Sequence, residues 1–162
     1  MHLGNVYSEL KETKRNGTVI GRMAIDGATP IESSVTIDNV RAYKQQVIDL
    51  ATKIASTKMK RADSELIQYE LQIATEMAIF GCDLAIARSN LPLETVTIFL
   101  MTPKLFIQNS QLSTLPNSTK AELSSRLTEL IPKYRKAWLN RNREGGLNDS
   151  CTRLQKTLNL LS

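Results

Sequence analysis

The sequence predicts an all-α fold, a helical bundle of about four to five helices with an irregular N-terminal strap. Three observations predict it. Aromatic residues make up only 5% of the chain against 41% hydrophobic residues overall, which suits aliphatic helix packing better than a β-sandwich. From Asp38 onward, apolar residues recur at spacings of three and four, the period of one helix face. The run from Ile73 to Ala87 is apolar almost all round, as expected of a helix with neighbours on more than one side. Length adds that residues 1–162 form a single domain, large enough to bury a core without disulfide or metal staples.

In chain order, residues 3–15 suit a short helix with Leu3, Val6, Tyr7 and Leu10 on one side, broken at Asn16-Gly17. Residues 16–37 are the least helical stretch, with Gly21, Gly27 and Pro30 between short β-branched runs; we read them as a surface strap. The helical core is expected over 38–162. Its first helix starts at Asp38 as cap and carries Val40, Tyr43, Val47, Leu50 and Ile54 to about Thr57. A second helix starts at Ser64 behind Asp63 and runs to about Asn90. Its small residues Ala74, Ala78, Gly81 and Ala85 allow close packing, so it is the expected core element. Residues 93–107 are apolar and broken by Pro103, and periodicity alone leaves helix and strand open. A polar loop follows over 108–114.

Asn117 or Ser118 then opens a helix carrying Leu123, Leu127, Leu130, Ile131, Tyr134, Trp138 and Leu139. Pro132 predicts a kink or an early end, because the ring removes a donor and crowds the preceding turn. Gly145 or Gly146 can take the left-handed conformation that closes this helix. Asn148, Asp149 and Ser150 are candidate caps for a last helix from Cys151 to Leu161, with Leu154, Leu158 and Leu161 on its stripe.

Chemistry is sparse. The chain has one histidine, His2, and two cysteines far apart in sequence, Cys82 and Cys151, so no His/Cys metal site is expected. Cys82 lies in an apolar helical run and reads as a small buried thiol. No Gly-x-Ser-x-Gly, Gly-rich phosphate loop or Ser/His pair is present, and no catalytic residue or cofactor is assigned. Glu76 and Asp83 fall one heptad apart on the apolar helix; pairing with Arg88 or a backbone cap accounts for such carboxylates more readily than catalysis. No apolar run is long enough for a membrane span and the start has no signal-peptide pattern, so the expected location is the cytoplasm.

The net charge of +5 is concentrated at one end. Residues 1–115 carry 12 basic and 12 acidic side chains, whereas residues 116–162 carry 9 and 4. A basic patch of this kind suits a phosphate backbone, an acidic protein face, or a solvated helix whose counter-charges lie elsewhere. Without a helix-turn-helix, RNA-binding or zinc-finger pattern, nucleic acid is not the expected partner.

The densest part is Tyr134-Arg-Lys-Ala-Trp-Leu-Asn-Arg-Asn-Arg-Glu-Gly-Gly-Leu-Asn-Asp-Ser-Cys151, read as a basic helical hairpin around the only tryptophan. Its Trp138, Leu139, Arg141, Asn142, Arg143, Gly145, Gly146, Leu147 and Ser150, followed by Arg153-Leu154, resemble the closing segment of bacterial β-N-acetylhexosaminidases of glycoside hydrolase family 20. In that family the segment belongs to a helical domain placed after the catalytic barrel, and the barrel's Asp-Glu pair does the chemistry. The resemblance implies a non-catalytic domain that packs on such a barrel or on a dimer partner. It carries over no catalytic residue. Tyr134, Trp138, Arg141 and Arg143 are the expected interface or docking residues, since aromatics with arginine are typical anchors. The alternative is that Trp138 is core and the arginines cap carbonyls of the same hairpin.

Overall fold

A computed structural model describes residues 35–89 and 110–162 of the chain. The opening helix, the ambiguous segment 93–107 and all but the last three residues of the strap expected over 16–37 lie outside the described residues, and Ile37 already belongs to the first helix. Within them the fold is all-α with no strand. Four long helices and one single turn make up a bundle: α1 (Ile37–Ser56), α2 (Ser64–Ser89), α3 (Ser110–Ser113), α4 (Asn117–Leu139) and α5 (Leu147–Leu161).

Thr36, not Asp38, caps α1. Its backbone is extended, and its hydroxyl accepts a hydrogen bond from the Asn39 amide at 3.2 Å while its side chain also meets that of Asn39. Asp38 instead sits in the first turn, where its charge favours the helix dipole. Val40, Tyr43 and Val47 form the buried stripe, and Leu50 and Ile54 are only half-buried. The far end is closed from the next helix: the Gln68 amide of α2 donates to the Ile54 carbonyl at 3.0 Å.

The central position expected for α2 is what the structure shows. Ala78, Cys82 and Ala85 pack on Val40, Tyr43 and Val47 of α1. Ile73, Met77, Phe80 and Leu84 belong to a second cluster with Leu112, Leu123, Leu127, Leu130, Leu154 and Leu161. Two buried faces on one helix explain its lack of a polar side. Asp63 holds the capping position, since its carbonyl accepts from Ile67 at 3.0 Å, but its carboxylate turns to the Arg61 and Arg141 side chains rather than to helix amides.

Burial pushes the Cys82 thiol up to about 12 from an ordinary 9.0, so it stays a thiol far into the alkaline range. A thiol-specific reagent is therefore expected to modify the half-buried Cys151 in the native protein and Cys82 only after denaturation. Modification of both at one rate in the native state would contradict this burial. Because the folded value is the raised one, the associated stability is complete below pH 9.0 and is lost as pH rises towards about 12.

Several expectations for the C-terminal half are corrected. The stretch expected as a polar loop contains α3, because Leu112 and Leu115 are both buried in the main cluster. Helix α4 does not end at Pro132 but runs on to Leu139. Pro132 and Thr128 are both exposed, so solvent can take the carbonyl that the missing N–H would have engaged. Finally, α5 starts at Leu147, a turn before Cys151, which leaves Asn148, Asp149 and Ser150 inside the helix. Its cap is Gly146, whose φ of 80° is left-handed, so the predicted glycine conformation opens α5 instead of closing α4. Likewise Pro116, with no side-chain cap, precedes α4 in place of a capping Asn117 or Ser118. Helix packing runs α1 on α2, α2 on α4 and α4 on α5, with α3 against α5.

Candidate docking surface on α4

Acidic residues on or just before α2 recur at 63, 70, 76 and 83, at intervals of seven, six and seven residues. Basic residues of α4 and the turn after it recur at 126, 133 and 141. The two rows meet antiparallel. Asp83 accepts from Arg126 at 2.8 Å and from Lys44 of α1 at 2.5 Å, with 18% of its side chain exposed. Glu76 accepts from Lys133 at 3.1 Å and from Gln72 at 2.8 Å. Arg141 donates to Glu70 at 2.6 Å and to Asp63 at 3.3 Å. The bond to Glu70 holds the Arg141 pKa above its ordinary value, while Arg61 foremost, with help from Arg141, holds the Asp63 carboxyl below its own.

Aromatic faces fill the spaces between the pairs. The Arg126 guanidinium lies 5.9 Å from the Phe80 ring centre and the Lys136 ammonium 5.3 Å from that of Tyr69. The Tyr69 hydroxyl donates to the Lys133 carbonyl at 3.3 Å. Part of the basic excess of residues 116–162 therefore finds its counter-charge on α2 of the same chain. Glu76 and Asp83, for which Arg88 or a backbone cap was the expected partner, are held across helices by α4 and α1. A groove of about 290 Å³ between α2 and α4 has Ile79, Phe80 and Leu130 as its floor, with Glu76–Lys133 and Arg126 on its rim. The Glu76 carboxylate at this rim is engaged by a cation, an arrangement that braces a seam.

The turn after α4 is locked by the residues of the family-like segment. The Trp138 indole N–H donates to the Arg143 carbonyl at 2.9 Å. Both the backbone and side-chain amides of Asn142 donate to the Trp138 carbonyl, at 2.9 and 3.2 Å. Tyr134 tilts against Trp138 with ring centres 6.2 Å apart. Gly146 lies beneath the indole, where an added Cβ would stand 3.7 Å from the ring, and Leu147 is buried. Gly145 has open space around it and no such constraint.

Gly146→Ala is expected to lose about 1–2 kcal/mol, mainly through the left-handed backbone rather than a clash. Trp138→Ala is expected to lose about 2 kcal/mol, less than the ~3–5 of a fully buried tryptophan, because the side chain is half-buried. Urea denaturation of both variants checks these values; an unchanged midpoint for Gly146→Ala would contradict the left-handed turn.

The four expected docking residues thus divide. Tyr134 and Trp138 are half-buried parts of the lock, and Arg141 is tied to α2. Only Arg143 presents an exposed side chain that forms no ion pair among the described residues. The structure adds residues that were not among the expected docking residues. Arg135 is exposed and likewise without an ion pair, Lys136 is exposed, and Leu139 is 44% exposed, the one large hydrophobic so placed among the described residues. Their signal was their spacing: 132, 135, 136 and 139 fall opposite the Leu123, Leu127, Leu130 stripe. No protein-family model, curated protein or solved structure matches this chain.

Proposed function

We propose that this chain is a non-catalytic helical packing domain, of the kind that follows the catalytic barrel in family-20 β-N-acetylhexosaminidases, and that it docks on such a barrel or on a dimer partner. The observation that carries this reading is the division of labour within the family-like segment. Trp138, Arg141, Asn142, Gly146 and Leu147 each hold the α4–α5 turn in shape, through the indole bond, the tie to α2, the capped carbonyl, the left-handed backbone and core burial respectively. A segment whose residues are committed to one rigid corner suits a domain that presents a surface rather than one that performs a reaction. The chemistry would then belong to the barrel, as would the preference for N-acetylhexosamine glycoconjugates.

Exposed Arg135, Lys136 and Arg143 favour a second reading, a basic helical adaptor for an acidic protein or a nucleic acid. One experiment separates the two. The purified chain is mixed with a family-20 catalytic barrel lacking its own C-terminal helices. Complex formation is followed by sedimentation, and hydrolysis of a chromogenic N-acetylglucosaminide is followed by absorbance. The packing reading expects no hydrolysis by the chain alone, and a complex in which the barrel is more stable or more active. No complex with the barrel, together with salt-sensitive binding to an oligonucleotide, would replace it with the adaptor.

A further inference from the structure

The basic run of α4 consists of two populations, and only one of them is available to a partner. Lys133 and Arg141 point to α2 and are matched by Glu76, Glu70 and Asp63. Arg135 lies on the opposite, exposed side with Leu139 four residues further on, so the two share one helix face, whereas the Lys136 ammonium turns to the Tyr69 ring of α2. The indole bond to the Arg143 carbonyl draws the following loop back beside Trp138, one residue from Leu139. Arg135 and Arg143 pair with no acid among the described residues.

The geometry points to this patch, Arg135, Leu139 and Arg143, as a docking site for an acidic protein surface that carries an apolar side chain to cover Leu139. The inference rests on the packing reading above and names the chemistry of the face that would be docked. Charge complementarity sets the partner's sign, because Arg135 and Arg143, before and after Leu139 in the chain, are both exposed cations with no ion pair among the described residues. Leu139 selects protein over nucleic acid. An exposed aliphatic side chain gains by burial against another apolar group, whereas a phosphate backbone offers it none. Arg141, although central to the basic run, is not part of this site.

A titration of the isotope-labelled chain, followed by amide NMR, tests the assignment with a short synthetic peptide bearing one leucine between flanking glutamates. The expected result is saturable shifts confined to residues around 132–143, with affinity reduced about tenfold by Leu139→Ser and by Arg135→Glu. Both variants should melt as the parent does, since both side chains are exposed. Shifts elsewhere on the bundle would overturn the proposal. So would equal affinity for a peptide with serine in place of leucine, or stronger binding to oligothymidine at the same residues. Failure of the parent reading looks different: the peptide binds this patch while the barrel forms no complex. If instead the barrel binds and Arg135→Glu leaves that complex intact, the packing reading stands and this site does not.

Discussion

Phe80→Ala is expected to lose about 3–5 kcal/mol, the largest effect of any single change considered in this chain. Phe80 is 1% exposed and sits where α2 meets α4, in the cluster that also holds Leu84, Leu127 and Leu130. Its removal leaves a cavity between two helices whose backbones are held at fixed spacing by ion pairs on either side, so collapse is resisted. The ring also supports the Arg126 guanidinium, 5.9 Å above it, and the truncation therefore weakens a charge pair along with the core. Urea denaturation at neutral pH measures the loss. A value below about 1 kcal/mol would mean that α2 and α4 repack freely.

Asp83→Ala follows, with an expected loss of about 2–3 kcal/mol. This carboxylate receives one cation from α1 and one from α4, and it is the link that joins those two helices through α2. Removing it leaves Lys44 without a counter-charge and Arg126 with only the exposed Glu122, 3.7 Å away. The loss stays below that of a fully buried pair because Lys44 is 29% and Arg126 37% exposed, so both can recover water. Asp83→Asn keeps the shape and removes the charge, and should fall between wild type and alanine. Combined with Arg126→Ala, the double variant should cost less than the sum of the singles, because the two share one interaction. Strict additivity would contradict the contact.

The helices were readable because their signals are local. The three-and-four spacing of Val40, Tyr43 and Val47 located α1 to within a residue or two, and the all-round apolar character of Ile73–Ala87 identified α2 as central. The ends were less readable. A cap depends on backbone dihedrals, so Thr36 and Asp38 look equally able on paper, and only the extended conformation at Thr36 decides between them. Pro132 did not end α4 early because its effect depends on where it faces. An exposed proline costs one hydrogen bond that water can replace, and Leu123, Leu127 and Leu130 before it with Tyr134 and Ala137 after it hold the helix on the core.

The candidate site was legible as a cluster but not as a surface. Composition showed that residues 116–162 are basic, yet a charge count cannot say which cations face α2. The matching requires the antiparallel register of the two helices, a tertiary fact. Once that register is known, the rows at 83, 76, 70, 63 and 126, 133, 141 explain each other. Arg141 is then tied to the start of α2, while Arg135 and Leu139 are left exposed.

The sharpest test of this account compares two arginines six residues apart in sequence. Arg141→Ala and Arg135→Ala each remove one exposed guanidinium from the same basic run, and urea midpoints of both variants are measured beside the parent. Arg141→Ala should lower the midpoint, because the start of α2 loses its tie to the end of α4, and the difference should shrink in high salt. Arg135→Ala should leave the midpoint within error. Equal destabilisation, or a larger effect at Arg135, would contradict the division between inward ties and outward docking residues on which the proposed surface rests.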